Sequence, residues 1–298
     1  MKISFRCAAF SFLELLLVIG IIGVCAGLLI PAIQNVRGSA LRVQCQNNLH
    51  QIGIALQNYH DKTGTLPYII SHSPLIPGKY RLFSWRVDIL AEMGEDPLLR
   101  VVHEAEKIEP LNVFLNPPHS GLNSVVKAYW CPADDRGPGP HIDPFGMSAG
   151  YATVVGVKDT MGQPFPVRFS NVLDGTGNTL MLGERPPPNS FLVGKWYSWL
   201  PRLDVTGIPR GIIHGPDEAL RAEYGNIPVQ EDPCHVGTYP FGPGRRDNPC
   251  DRFHFWSLHS GGANFAFCDG SVRFISYSGS KLLPALASRA GGETVEIP

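Results

Sequence analysis

The chain carries little charge, and neither sign is in excess. Among its 298 residues, 17% are charged, and 25 basic residues nearly balance 26 acidic ones. Proteins that bind nucleic acid through its phosphates usually carry a clustered excess of Lys and Arg. The sequence therefore predicts no nucleic-acid partner.

Motifs typical of catalytic and metal sites are also scarce. No Cys-x-x-Cys pair and no Cys/His cluster has the spacing of a zinc site. Residues 146–150 match the Gly-x-Ser-x-Gly pattern of a nucleophile, but that motif must follow a buried strand. Here it follows the loop RGPGPHIDPF. We therefore expect a protein that is not an enzyme and has no cofactor, with only calcium left open.

One long apolar segment dominates the N-terminal region. Residues 10–31, FSFLELLLVIGIIGVCAGLLIP, follow a short basic leader and contain one charged residue, Glu14. About 20 apolar residues suffice for a helix to cross a bilayer core. The alternative is a cleavable secretory signal, whose small-residue cleavage site follows the apolar run. Here Ala8 and Ala9 precede it, which favours a membrane-spanning helix.

The start of this segment resembles type IV pilins and the pseudopilins of type II secretion. Counted from Phe10, Glu14 is the fifth residue and Pro31 the twenty-second, as in the pattern of those families. Their prepilin peptidase cleaves before the Phe, which is then N-methylated. The resemblance implies cleavage between Ala9 and Phe10, although Ala9 stands where glycine is usual. It also implies that Glu14 pairs with the N-terminal amine of a neighbouring subunit.

Beyond Pro31 the hydrophobic pattern changes to that of an amphipathic helix. Apolar residues recur at steps of three and four, at Leu41, Cys45, Leu49, Ile52, Leu56 and Tyr59. This spacing predicts a helix that packs one face on a core. The run Thr63-Gly64-Thr65-Leu66-Pro67 predicts its end near Lys62. From Phe10, an unbroken helix of this length measures about 80 Å.

The rest of the chain predicts a loop-rich domain of mixed helix and strand. The 32 glycines and 27 prolines favour many turns. The patterns predict helices over 84–93, from 96 to about 105 and over 284–289, and strands over 125–131, 151–157 and 179–182. A hairpin is predicted over 264–275, with Asp269-Gly270 as a two-residue type I′ turn. The fold class is therefore α+β, with a long helix packed on a mainly antiparallel sheet.

Five of the seven cysteines lie beyond the apolar segment. A domain exported to an oxidising compartment can keep disulfides. Cys234 and Cys250 flank a loop rich in Pro and Gly and form the first predicted pair; Cys45 and Cys131 form the second. Cys268 is then left as a free thiol. The alternative is that all five are unpaired and buried.

The C-terminal region carries a second resemblance. Residues 258–275, LHSGGANFAFCDGSVRFI, place His259 ten positions before Asp269-Gly270. This His-x9-Asp-Gly signature resembles a large group of prepilin-like proteins abundant in planctomycete bacteria, which share a domain of unknown function, DUF1559. Segments such as 45–67 and 286–292 resemble the same group, so the similarity covers nearly the whole chain. The group has no established activity, and the resemblance implies an architecture rather than a chemistry.

Two roles are open for the signature. In the first, His259, Asp269 and Asn264 surround a metal such as calcium, although calcium prefers more oxygen ligands than this set offers. In the second, His259 fixes the entry to the hairpin through a backbone bond, and Asp269-Gly270 supplies the turn. The second role is favoured.

Together these patterns predict a pilin-like or pseudopilin-like envelope protein. The expected parts are a leader (1–9), a transmembrane helix (10–33), its amphipathic continuation (34–62) and an exported domain (63–298). The family analogy places the anchor in the inner membrane and the domain in the periplasm or outside the cell. The expected partners are the membrane, prepilin peptidase, and further copies or other pilin-like subunits of a type II secretion or type IV pilus-like assembly.

The alternative function is an anchored module that binds an extracellular solute or polymer and never polymerises. Trp196, Tyr197 and Trp199 have side chains that can stack on a sugar or a peptide. Packing in the core is the other use of these aromatic residues, and the sequence favours it.

Overall fold

The protein is described here by a computed structural model. The described residues are 12–67, 83–109, 119–144, 146, 148–161, 167–191, 194–197, 205–206, 212–214, 234 and 238–293. The helices and strands given below lie within these ranges. The predicted leader, with Ala9 and Phe10, lies outside them, and so does Trp199.

Helix α1 is the longest element, and it has two different parts. It runs over Phe12–Thr63, which is 52 residues, and includes Pro31. Every residue from 12 to 40 is exposed, whereas the later part buries one face. The buried residues are Cys45, Leu49, Ile52, Gly53, Ala55 and Leu56. Burying a Leu or Ile side chain contributes about 1.5–3 kcal/mol, so this face fixes the later part of α1 on the domain.

The end of α1 follows the predicted stop signal. Gly64 has a φ of +79°, a left-handed conformation that glycine adopts without strain. Its amide donates to the carbonyl oxygen of His60 at 2.7 Å. The hydroxyl of Thr63 donates to the carbonyl oxygen of Tyr59 at 2.8 Å. These bonds satisfy carbonyl groups that the end of a helix leaves without a partner.

The other described α-helices are short. They are α2 (Trp85–Asp88), α3 (Asp96–Ile108), α4 (Lys158–Met161) and α5 (Leu283–Leu286). The helix predicted over 84–93 is therefore only α2, because the chain turns after it and the amide of Glu95 donates to the carbonyl oxygen of Leu90 at 2.8 Å. Ser84 caps α2, since its Oγ accepts from the amide of Arg86.

The strand predicted over 125–131 is wrong. This segment contains a 3₁₀-helix over Lys127–Tyr129. Asn48 Nδ2 of α1 donates to the carbonyl oxygen of Trp130 at 2.9 Å, and the amide of Cys131 donates to Thr153 Oγ1 at 2.7 Å. These backbone groups bond to side chains of other elements instead of a neighbouring strand. Tertiary contacts thus override the local preference of this segment for strand.

The main sheet has five strands in the order β5-β3-β4-β8-β9. They are β3 (Val154–Val157), β4 (Leu180–Glu184), β5 (Val205–Thr206), β8 (Gly262–Phe267) and β9 (Val272–Ser276). Only the β3–β5 pairing among these is parallel. Two further two-stranded sheets pair β1 (His141–Ile142) with β2 (Ser148–Ala149), and β6 (Ile212–His214) with β7 (Thr238–Pro240). The predicted α+β class, with a long helix on a mainly antiparallel sheet, is confirmed.

The sheet is covered on both faces, so β4 and β8 are buried along their whole length. Successive side chains of a strand point to opposite faces. On β8, Ala266 belongs to the core that contains Leu49 and Ile52 of α1. Phe265 and Phe267 belong to a second core, which also contains Val155, Leu180, Phe241, Phe253, Phe255, Leu283 and Leu286. One face of the sheet therefore contacts α1, and the other contacts the C-terminal segments.

The hairpin formed by β8 and β9 has a different turn from the predicted one. A type I′ turn needs a positive φ at both central residues, but among Asp269 and Gly270 only Gly270 has one, at +83°. The amide of Gly270 donates to the carbonyl oxygen of Phe267, and the amide of Phe267 donates to that of Ser271. This is a three-residue loop that ends in a left-handed glycine. A tertiary bond, from the amide of Asp269 to the carbonyl oxygen of Thr176 at 3.0 Å, fixes this geometry.

Candidate functional site

The His-x9-Asp-Gly signature lies against helix α1, and we call residues 257–276 the helix clamp. At its turn, the Gly270 carbonyl oxygen lies 3.0 Å from His50 Nδ1 of α1. Gln57 Nε2 donates to the carbonyl oxygen of Cys268 at 3.4 Å. The other end of the clamp contains His259. A ring nitrogen of His259 lies within 4.8 Å of Cys45 Sγ of α1, so both ends of the signature lie close to the same helix.

A disulfide joins α1 to the domain beside this clamp. Cys45 of α1 is bonded to Cys131, 86 residues later, with 5.0 Å between the Cα atoms. Cys234 and Cys250 form the second disulfide, which closes a segment of 16 residues. Both predicted pairs are present. In the chain-entropy model a cross-link over the longer segment stabilises the fold by about 4–5 kcal/mol.

Four potential metal ligands meet at the first disulfide, and we call them the clamp cluster. Its members are Cys45, Cys131, Glu184 and His259. One ligand atom from each lies within 4.8 Å of the others, and all four residues are buried. His259 Nε2 is 3.5 Å from Cys131 Sγ and 3.4 Å from Glu184 Oε1. The cluster combines soft sulfur atoms, an imidazole and a carboxylate in one water-poor position.

Glu184 is held rigidly through one of its two oxygens. Its Oε2 accepts from the backbone amide of Asn264 at 2.7 Å and from Asn264 Nδ2 at 3.0 Å. Asn264 Oδ1 in turn accepts from Gln46 Nε2 at 3.1 Å. Glu184 Oε1 accepts no hydrogen bond from any residue that the structure describes, and the residue is only 1% exposed. A buried carboxylate oxygen without a hydrogen bond is costly, so this atom calls for an explanation.

The sheet register explains how the cluster assembles. Residues two apart on a strand share a face. On β4 this places Glu184 with Leu182, which packs in the core beneath α1. On β8, Asn264 shares a face in the same way with Ala266, which lies opposite Leu182. Glu184 and Asn264 therefore both point toward α1.

Sequence reasoning missed Glu184, although a signal was present. The strand predicted over 179–182 continues as Gly183-Glu184, and a carboxylate two residues after a buried Leu must face the same core. Inward-facing charges in an otherwise apolar strand need a specific partner. That partner is Asn264, with His259 near the other carboxylate oxygen.

The sequence suggested His259, Asn264 and Asp269 as possible ligands of one metal, but the structure groups His259 and Asn264 with Glu184 instead of with Asp269. His259 and Asn264 both contact Glu184. Asp269 is in the hairpin turn, where its Oδ1 accepts from the amide of Ser271 at 2.8 Å. The His259 amide donates to Ser257 Oγ at 3.0 Å, but this is a main-chain bond, so the role of the His259 side chain at the hairpin entry stays a prediction.

Other residues noted in the sequence have structural positions. Ser148 of the Gly-x-Ser-x-Gly match lies in β2, which pairs with β1 and is not followed by a helix. Trp196 and Tyr197 are fully buried in the core. Cys268 is a free and buried cysteine, and burial raises the pKa of its thiol well above the usual value. Glu14 is exposed near the start of α1, outside the clamp.

The comparisons with known proteins give one finding. A family model described as a protein of unknown function, DUF1559, matches residues 34–280. The matched range includes the later part of α1, the clamp cluster and the whole His-x9-Asp-Gly signature. No curated protein and no solved structure matches the chain.

Proposed function

The chain belongs to the DUF1559 family, and from this premise we propose that it is a pilin-like, membrane-anchored envelope protein. Its first 33 residues supply the leader and the anchor, and the α+β domain lies on the outer side of the inner membrane. Prepilin peptidase removes the leader between Ala9 and Phe10, and Phe10 is N-methylated. Subunits then associate through the apolar part of α1 in a type II secretion or type IV pilus-like assembly.

The observation that carries this proposal is the contrast within α1. One continuous helix begins with an exposed apolar part that is long and apolar enough to cross a membrane. It ends in a part that the domain holds by a disulfide and by the clamp. In water, such an exposed apolar surface is unfavourable and marks an interaction site. Lipid and neighbouring apolar helices are the surroundings that suit it.

The disulfides support the assignment of the domain to the outer side. Among the described residues, Cys45 is bonded to Cys131 and Cys234 to Cys250. Disulfides persist in the bacterial periplasm and outside the cell, while the cytosol keeps thiols reduced. A cytoplasmic leader followed by an exported domain satisfies this requirement.

The first test is the mass of the N-terminal peptide of the protein isolated from its native membrane. We expect a peptide that begins at Phe10 and is heavier by one methyl group. Ala9→Gly should process faster, and Ala8→Gly serves as the matched control that leaves the cleavage junction unchanged. A peptide that begins at Met1 contradicts processing, and one that begins after Pro31 contradicts the anchor itself.

A second test separates assembly from an isolated anchor. Cys25 is a free, exposed cysteine in the apolar part of α1 and can report on neighbouring helices. Oxidation of intact membranes should give cross-linked dimers that disappear in Cys25→Ala. Glu14→Gln should reduce cross-linking if Glu14 pairs with the amine of a neighbour. Monomers alone, together with saturable binding of a solute or polymer, would favour the non-polymerising binding module.

A further inference from the structure

We propose that the clamp cluster binds one Zn²⁺ ion when the Cys45–Cys131 disulfide is reduced. The protein would then have two interchangeable cross-links between α1 and the domain. One is the disulfide, and the other is a metal bound by the same two sulfurs together with Glu184 and His259. This inference does not depend on whether the subunits assemble.

The positions of the ligand atoms favour a tetrahedral site. With metal bonds of about 2.0–2.3 Å, the ligands of tetrahedral zinc lie roughly 3.3–3.8 Å from one another. His259 Nε2 is already 3.5 Å from Cys131 Sγ and 3.4 Å from Glu184 Oε1. Cys45 Sγ lies within the same 4.8 Å group. Once the sulfurs are no longer bonded to each other, side-chain rotation at the two cysteines completes the tetrahedron.

Glu184 Oε1 supplies an independent indication of a ligand. This oxygen belongs to a residue that is 1% exposed, and it accepts no hydrogen bond from the described residues. Two hydrogen bonds from Asn264 to the other oxygen, Oε2, fix the orientation of the carboxylate, and Oε1 therefore keeps its position in the cluster. Hydrogen bonds of this kind orient the ligating carboxylates of metal sites. Apart from the His259 ring nitrogen at 3.4 Å, no polar group of the described residues lies against this oxygen, and a bound cation gives it a direct bond.

The ligand types select zinc among the common biological cations. Two thiolates and one imidazole favour a borderline-soft metal, and zinc accepts a carboxylate as the fourth ligand. Calcium needs about six to eight oxygen ligands, which the cluster does not offer. Because four protein ligands fill the tetrahedron, the site is closed and structural rather than catalytic.

The change between the two states balances as an ordinary thiol–disulfide exchange. A dithiol reductant transfers two electrons and two protons, the Cys45–Cys131 bond breaks, and the reductant becomes a disulfide. Zinc then displaces the two thiol protons to solvent as two Zn–S bonds form. In the reverse direction a disulfide oxidant takes two electrons from the two thiolates and two protons from solvent, becomes a dithiol, and the Cys45–Cys131 bond re-forms as the metal is released.

The test uses the full chain in detergent, with Co²⁺ as a visible probe for the zinc site. Protein is reduced with dithiothreitol, freed of the reductant without oxygen and titrated with Co²⁺. We expect tetrahedral cobalt–thiolate absorption that saturates at one ion per chain, is abolished by Zn²⁺ and is absent from the oxidised protein. Bound Zn²⁺ should also slow reoxidation of Cys45 and Cys131, as measured by mass after alkylation.

Paired variants decide whether the clamp cluster is the site. Cys45→Ser with Cys131→Ser should lose the cobalt bands, whereas Cys234→Ser with Cys250→Ser should keep them. His259→Ala and Glu184→Gln should weaken Co²⁺ binding by roughly tenfold or more, since each removes one of four ligands. In these two variants, formation of the Cys45–Cys131 disulfide under oxidation verifies the fold. Absence of bands in the reduced wild type, or bands that survive any of the cluster variants at full strength, would overturn the proposal.

Discussion

The two parts of helix α1 meet different surroundings within one continuous element. From residue 12 to 40 every side chain is exposed, and the exposed set includes Leu16, Ile19, Ile22, Leu28 and Ile33. From residue 41 onward a narrow stripe is buried, and polar side chains on either side contact the domain. Asn48 donates to Trp130, and Arg42 lies 4.8 Å from the centre of the Phe274 ring.

The distribution of apolar side chains around each part of the helix determines which surroundings that part suits. Up to residue 33 the helix is apolar on all sides except at Glu14, so it has no preferred face and suits lipid or a bundle of like helices. A part with one apolar stripe has a single face to bury, and its register on the sheet is then fixed by polar contacts. Substitutions placed in one part or the other should therefore have different effects on stability and on membrane insertion.

The largest effect is expected from the disulfide that fixes the later part. Cys45→Ser with Cys131→Ser should lower the free energy of unfolding by about 4 kcal/mol, because the unfolded chain regains the entropy of a long open segment. Urea unfolding of the oxidised protein without metal measures this loss. Cys234→Ser with Cys250→Ser is the matched control and should lose about 3 kcal/mol, because its segment is shorter. An equal or larger loss in the control would contradict the larger stabilisation expected from the Cys45–Cys131 disulfide.

A matched pair of leucines compares the two parts directly. Leu49 is fully buried, whereas Leu29 is 57% exposed. Leu49→Ala should destabilise the domain by about 2–5 kcal/mol, since it removes buried methyl groups and leaves a cavity. Leu29→Ala should stay within about 0.5 kcal/mol. Urea unfolding in detergent measures both, and similar losses at the two positions would show that the parts are not distinct.

A charge placed in each part tests the membrane assignment. Ile22→Arg should disfavour insertion by about 2.5–3.5 kcal/mol, the cost of a charge near the centre of a bilayer. Ile54 lies on the exposed side of the later part, at 42% exposure. Ile54→Arg should therefore leave insertion unchanged. The fraction of protein that resists carbonate extraction from membranes reports insertion, and equal extraction of the two variants would speak against a membrane-spanning first part.

The smallest effect concerns Cys268, which lies beneath the docked part of α1. Burial raises the pKa of its thiol, so it carries less of the reactive thiolate between pH 7 and 9 than an exposed cysteine does. N-ethylmaleimide should therefore label Cys268 only slowly over this range and rapidly after unfolding. Gln57→Ala removes a hydrogen bond to the Cys268 carbonyl group and should speed labelling. Rapid labelling of the folded wild type, relative to a Cys268→Ala control, would show that α1 does not cover this residue.

Much of the fold could be predicted because its signals are local. The change in apolar spacing after Pro31 indicates where a helix with one buried face follows an apolar one, and Gly64 marks its end. Asp269-Gly270 between alternating residues marks the hairpin. The Pro- and Gly-rich loop between Cys234 and Cys250 favoured that pair, which is formed. No local signal favoured the pair Cys45–Cys131, which is also formed although 86 residues separate its members.

The errors arose where distant groups bonded to the backbone. The segment over 125–131 has residues typical of a strand, but side chains rather than a neighbouring strand bond to its backbone. Asn48 donates to the carbonyl oxygen of Trp130, and Thr153 accepts from the amide of Cys131. The hairpin turn has a sequence typical of a two-residue turn, but the bond from Asp269 to the carbonyl oxygen of Thr176 accompanies a three-residue one. Contacts with residues remote in sequence cannot be inferred from the local pattern of a segment.

By itself, the sequence determined the long helix with its two kinds of surface, the hairpin and the α+β class, because periodicity and turn chemistry act between near neighbours. Only the tertiary structure decided that Glu184 and His259 lie beside the Cys45–Cys131 bond. Their meeting depends on the register of β4 against β8 and on the seating of α1 over that face of the sheet. A shift of one residue in that register would turn Glu184 away from α1, since successive side chains of a strand point to opposite faces.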